Sequence, residues 1–137
     1  MRCWGSNSNG MLGNNNVGGS AGYSKAELIE GVDEVDTIQG GDHHFCVGLG
    51  DVLACWGNNN YSQIGPGTDQ SAQPAPLALQ GLGSVTDFFV DYQSTCVTDA
   101  SGNLICWGNN GKDYFGQGVY YSEDYLDVIG LDGAIPE

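Results

Sequence analysis

The stretch Cys3-Trp4-Gly5-Ser6-Asn7-Ser8-Asn9-Gly10-Met11-Leu12-Gly13 decides the fold, because its opening tripeptide returns at Cys55-Trp56-Gly57 and at Cys106-Trp107-Gly108. The copies lie 52 and 51 residues apart and hold all three tryptophans and three of the five cysteines. A fixed period near 50 residues marks an array of like structural units. Asparagine follows each copy, at Asn7, at Asn58 to Asn60 and at Asn109 and Asn110, and Gly13, Gly65 and Gly116 each stand eight residues after the motif glycine. A second block precedes two of the motifs: Gly41-Asp42-His43-His44-Phe45-Cys46 aligns with Asp91-Tyr92-Gln93-Ser94-Thr95-Cys96. Counted from the motif, repeats run over 3–54, 55–105 and an incomplete 106–137. One repeat region of about two and two-thirds units therefore covers 1–137.

Within a repeat the pattern is all-β. Phe45 to Leu49 and Val52 to Trp56 are β-prone runs around Gly50-Asp51, a two-residue hairpin signal with glycine first. One repeat later Thr95 to Thr98 and Leu104 to Trp107 flank Asp99 to Asn103, where Gly102 suits the positive φ of a three-residue loop. Val35 to Ile38 and Val85 to Val90 are further strand candidates. The sole helical candidate is Ser24 to Ile29, one or two turns with Ser24 and Glu27 at capping-box spacing. The tryptophans, at equivalent positions, are assigned to the core.

These hairpins place Cys46 opposite Cys55, and Cys96 opposite Cys106. Opposed residues of antiparallel strands stand about 4.5 to 5.5 Å apart at Cα, within reach of a disulfide. Two cross-strand disulfides are expected, with Cys3 left as an unpaired or intermolecular thiol whose partner would sit in a preceding strand. The alternative reads each cysteine as a small buried apolar residue. If the bridges form, the compartment is oxidising, extracellular or periplasmic. Separations of nine and ten residues do not resemble the close pairs of zinc ribbons.

Three basic residues stand against 17 acidic ones, a net charge of -14. So few cations cannot form the footprint that binds phosphate backbones, and they argue equally against anionic membranes. Nucleic acid is excluded as a partner, as is membrane insertion, since no apolar run nears the 18 or so residues of a spanning helix. The 23 glycines in 137 residues exceed the usual share of about 7%, but 40% hydrophobic residues set the chain apart from disordered tails. The first five residues lack a signal-peptide core, so the chain is read as cytosolic or as lacking an N-terminal part.

The pattern Cys-Trp-Gly-x-Asn-x-x-Gly-x-Leu-Gly, intact from Cys3 to Gly13, resembles the regulator-of-chromosome-condensation repeat family, and in particular its secreted bacterial members. The upstream block ending His-x-Cys matches too, with His44 in the family's histidine position. The resemblance implies β-propeller blades of four-stranded antiparallel sheets, here a partial propeller. Departures are Asp91 for a family glycine, Ser94 for the histidine, and Ser62 and Asp113 where Gly10 keeps the glycine. An incomplete ring leaves blade edges open, so the chain is expected to be part of a longer propeller, to assemble with further copies, or to stand as a capped open stack. Family precedents are exchange factors for small GTPases that dock on chromatin, disfavoured here by the expected disulfides, and secreted β-lactamase-inhibitor propellers.

Enzymatic function is not expected, and neither is a cofactor. Gly18-Gly19-Ser20-Ala21-Gly22 has the spelling of a nucleophile elbow without the strand-to-helix context. His43 and His44 are neighbours that point to opposite faces of a strand, and His44 reads as structural. Asp33, Glu34 and Asp36, like Glu123, Asp124 and Asp127, could offer oxygens to calcium, but no calcium-loop pattern is present and they read as solvated surface. Tyrosines concentrate between the strands, and Tyr114, Phe115, Tyr120, Tyr121 and Tyr125 form the candidate partner contact. The expected function is a non-enzymatic protein-interaction module whose partner is unidentified, a basic one given the charge. The alternative is a structural subunit polymerising through blade edges into an extracellular assembly or fibre.

Overall fold

The computed structural model describes residues 1–18 and 23–128. Ten strands run β1 (Arg2–Gly5), β2 (Tyr23–Leu28), β3 (Thr37–Gly40), β4 (His44–Leu49), β5 (Val52–Gly57), β6 (Gln73–Ala78), β7 (Val85–Val90), β8 (Ser94–Asp99), β9 (Leu104–Asn109) and β10 (Tyr121–Asp127). They form a two-stranded sheet β1-β2 and two four-stranded antiparallel sheets, β3-β4-β5-β6 and β7-β8-β9-β10. Cys-Trp-Gly occupies the third strand of each full sheet, so a stretch counted from motif to motif begins in one sheet and ends in the next.

Both expected hairpins are present. Leu49 pairs with Val52 across Gly50, whose φ is +65°, and Thr98 pairs with Leu104 around Gly102 at +84°. Cys46 and Cys55 are joined, as are Cys96 and Cys106, with Cα atoms 4.1 Å apart in each pair. Cys3, half-buried on β1, has no disulfide partner. The helical candidate at Ser24 to Ile29 is instead strand β2, with Cys3 opposite Glu27 and Arg2 opposite Leu28. A one- or two-turn helix does not recover its nucleation cost, whereas β1 offers a ready ladder. Strand β3 starts at Thr37, two residues later than the pattern suggests.

Sheets stack face to face, and the inner strands β4 and β5 divide their side chains between two cores. From β5, Leu53 and Cys55 enter a core with Ile64, Phe88, Val97 and Trp107, while Ala54 and Trp56 enter another with Ile29, Val32 and Val47. Burial on both faces is why Leu53-Ala54-Cys55-Trp56 reads as a continuous apolar run. Pro74 and Pro76 lie on β6, an outer strand where a missing N–H is tolerated.

The motif now has a physical reading. Cysteine clips the two central strands, and tryptophan faces the preceding repeat and donates its N–H to that repeat's turn: Trp56 Nε1 to the Met11 carbonyl at 2.9 Å, Trp107 Nε1 to the Gln63 carbonyl at 3.0 Å. Glycine is required because the neighbouring strand leaves no room. A Cβ at Gly57, whose φ is +108°, would stand 2.4 Å from the His43 carbonyl oxygen. Trp4 departs from the core assignment and is 67% exposed, because no described strand or turn lies over its face.

Buried asparagines pin the turns that receive the indoles. Asn7, Asn59 and Asn110 accept from the backbone N–H of Leu12, Ile64 and Phe115 at 2.9, 2.9 and 3.1 Å. Their side-chain amides donate across the loop to the carbonyls of Asn16, Asp69 and Val119. Gly10, Ser62 and Asp113 sit at the same place in the three turns with φ of +71°, +58° and +55°. The two exchanges from glycine therefore leave the turn conformation unchanged.

Candidate functional site

The candidate contact residues part company in the structure. Tyr114 and Tyr120 are 72% and 82% exposed, and Tyr121 is also exposed. Phe115 is buried, at the turn position that Leu12 and Ile64 hold in the other repeats. Tyr125 packs edge-on against Trp107 with ring centroids 4.8 Å apart, and burial pushes its phenol up to about 12. These two therefore support the scaffold and present little surface.

Exposed Tyr92, which the contact group omitted, stands near Tyr114. A depression of about 320 Å³ lies between Asp91, Tyr92, Gln93, Lys112 and Tyr114. It adjoins a second of about 360 Å³ bordered by Lys112, Asp113, Val119 and Tyr120. Gly111 and Lys112 line both, so Tyr92, Tyr114 and Tyr120 flank one continuous surface at a turn of the second full sheet. Tyrosine offers large, amphipathic contact area at low entropic cost. The alignment of Tyr92 with Asp42 is the sequence signal that could have found it: a tyrosine at a loop position that is polar one repeat earlier.

His44 is fully buried where the two full sheets meet. Its Nε2 lies 3.1 Å from Thr95 Oγ1, which donates to the Gln63 carbonyl at 2.9 Å, the oxygen that also receives Trp107 Nε1. Its Nδ1 has no hydrogen-bond partner. Desolvation lowers its pKa from 6.5 to about 4, against the pull of the Ser94 backbone and then of the Asp42 and Asp91 charges. A neutral, enclosed imidazole tied to a threonine is a joint between sheets. His43, partly exposed, has its Nδ1 2.6 Å from Asp42 Oδ2.

Asp36 accepts from the Gly50 N–H at 2.8 Å and so serves the hairpin. Among the described residues no group of three His, Cys, Asp or Glu side chains is placed to hold a metal ion. Of the Gly18 to Gly22 spelling only Gly18 falls within the described residues.

No protein-family model matches the chain. The E3 ubiquitin-protein ligase HERC2 of Homo sapiens and that of Mus musculus are each 31% identical over 120 residues, 84% of this chain. The chain spans about 2% of the length of these curated relatives. Among solved structures, Prp20p of Saccharomyces cerevisiae, studied for its binding to Gsp1p and histones, superposes with a TM-score of 0.83 at 18% identity, over 95% of this chain and 34% of that one. Yeast RCC1 (Prp20) bound to Kap60 gives 0.84 at 17%, over 95% and 33%. Human WBSCR16 gives 0.80 at 18%, over 93% and 34%.

Proposed function

Because the chain is built of RCC1-like β-propeller repeats, we propose that it is a non-enzymatic protein-binding module acting in an oxidising compartment, extracellular or periplasmic. Yeast RCC1 (Prp20), on which this chain superposes, is a protein-binding protein, solved bound to Kap60. The observation that carries the reading is the exposed Tyr92, Tyr114 and Tyr120 surface on a disulfide-clipped scaffold. Rigid sheets hold those loops at little entropic cost to a partner. A net charge of -14 favours encounter with a basic protein. The two disulfides support the compartment, since such bonds persist where thiols are not kept reduced.

Binding of the immobilised chain to a panel of secreted proteins of graded isoelectric point tests this. Retention should concentrate among basic proteins and fall at least about tenfold in the Tyr92→Ala, Tyr120→Ala double variant. Equal retention by variant and parent would remove the tyrosine surface from the reading, and indifference to isoelectric point would remove the charge.

A further inference from the structure

The seam between the two full sheets opens at the end of the strands where the hairpins turn, the end away from Tyr92. A depression of about 210 Å³ lies there, with Asp36, Gly48 and Val52 on the side of the first sheet and Val85, Asp87 and Phe88 on the side of the second. It shares Val52 and Val85 with another of about 230 Å³, which runs past Asp51 to the connection 79–83. Its walls are neighbouring sheets tied to each other. The Val85 N–H donates to the Asp51 carbonyl at 3.1 Å. Gln39 of β3 donates to the Phe88 carbonyl at 2.7 Å and accepts from the Val90 N–H at 3.2 Å. A further sheet stacked before or after these two would lie against a sheet face, whereas the groove opens along the strand ends. Its mouth is therefore independent of how many sheets the array holds.

The lining joins aliphatic surface to carboxylates without a counter-charge. Val52 is 39% exposed, and Gly48 and Gly50 place no side chain over it. A Cβ at Gly48 would stand 3.3 Å from Phe88 Cε1. Asp36, Asp51 and Asp87 are exposed around the opening. Each spends one oxygen on the fold: Asp36 Oδ2 accepts from the Gly50 N–H at 2.8 Å, Asp87 Oδ1 from the Phe88 N–H at 2.8 Å, and Asp51 Oδ2 from Ser84 Oγ at 3.4 Å. Among the described residues the other oxygen of each has no hydrogen-bond partner. No base answers them. Arg2 and Lys25 stand on β1 and β2, Lys112 follows β9 at the other end of the strands, and the one ion pair among the described residues is His43 with Asp42. Charge of one sign gathered at a cleft concentrates the opposite sign there.

We propose that this seam is a docking groove for a basic segment of another protein, one in which arginine or lysine alternates with aliphatic residues. A cationic head takes the free oxygens of Asp36 and Asp87, its hydrocarbon stem lies along Val52 and Val85, and a neighbouring base reaches Asp51. Exposed carboxylates alone would hold a cation weakly. The aliphatic floor adds contact area and keeps water from the ion pair. The inference rests on the reading of the chain as a protein-binding module but not on the tyrosine surface, which lies at the opposite end of the strands, so the two sites can fail separately.

Titration of a short synthetic peptide of alternating arginine and valine into the whole isotope-labelled chain, disulfides intact and followed by backbone amide shifts, is the test. Shifts should gather at Gly50, Val52, Val85 and Asp87. Asp36→Asn with Asp87→Asn keeps the acceptors for Gly50 and Phe88 and should weaken binding about tenfold or more. Asp33→Asn with Glu34→Gln removes the same charge from exposed residues outside the lining, and at physiological salt should change affinity less than about twofold. A peptide of alternating arginine and glycine should bind about tenfold more weakly than the valine peptide, and the Tyr92→Ala, Tyr120→Ala double variant should bind like the parent. No binding at millimolar peptide, equal losses in the two acidic pairs, or equal binding of the glycine peptide would each overturn the proposal. Shifts gathered at Tyr92 and Tyr120 would overturn it too, while leaving the tyrosine surface standing.

Discussion

Ser62→Gly is expected to raise stability, although it shortens a buried side chain. Ser62 sits in the left-handed region with φ +58°, the place Gly10 fills in the first turn, and a residue with a Cβ loses about 1–2 kcal/mol there. Its Oγ is buried with no hydrogen-bond partner, a further penalty of about 1 kcal/mol or more. Against these gains, glycine loses about 0.5–1 kcal/mol more chain entropy on folding, and the removed group forfeits about 0.8 kcal/mol of packing. The balance is a gain of about 1 kcal/mol, or roughly 3 °C in Tm for a chain of this size. Asp113→Gly is the control. Asp113 has nearly the same φ, +55°, but its Oδ1 accepts from the Gly118 N–H at 2.6 Å and from Asn110 Nδ2 at 3.3 Å. Losing those bonds cancels the relief, so that variant should gain nothing. Urea unfolding without reductant, comparing midpoints at constant m, reads both. A Ser62→Gly protein less stable than the parent, or an Asp113→Gly protein stabilised as much, would refute the reasoning.

Two further expectations concern the joints of the stack. Folded His44 titrates at about 4 instead of 6.5, so between those values the unfolded chain binds a proton that the folded one does not. Stability therefore falls on acidification through this window, by about 3 kcal/mol in all; His44→Gln should abolish that part of the slope, and parallel pH–stability curves for parent and variant would count against it. The Cys46–Cys55 bridge closes a separation of nine residues, so replacing both cysteines by alanine should cost about 2.5 kcal/mol on a chain-entropy estimate, read from the urea midpoint, and an unchanged midpoint would show that β4 and β5 hold without the clip.

Much of the architecture is visible in the triplet Cys-Trp-Gly, because each of its residues meets a separate demand: a bridge on one face, an indole donor on the other, and a backbone too crowded for a Cβ. The hairpins were legible for the same local reason, since Gly50 and Gly102 lie where the turn needs a positive φ. Strand β2 was not. Ser24 and Glu27 mimic a helix cap, and the ladder that overrides them joins residues 18 to 26 positions apart. Asparagine after each motif was visible, but runs such as Asn58 to Asn60 hid which copy matters. A spacing of four from the motif cysteine selects Asn7, Asn59 and Asn110. A spacing of nine places Phe115 with Leu12 and Ile64, which would have moved it from the contact surface to the core. The exposure of Trp4 is beyond any local pattern, because burial at that position is conferred by a neighbouring sheet and not by the strand that carries it.

The half-sheet offset between the motif-to-motif stretch and the folded sheet bears on how such an array can change length. A tandem copy of residues 55–105 begins inside β5 and ends inside β9, yet the spliced product contains one more whole sheet. The one new junction, Ile105 to Cys55, falls within a third strand, which equivalent residues of β9 and β5 complete between them, and the new indole meets a turn like the one it left. Breakpoints elsewhere in the period give the same product. Repeat number can therefore vary without any recombination event having to respect a sheet boundary, and the interfaces inherited at each splice are ones the chain already uses.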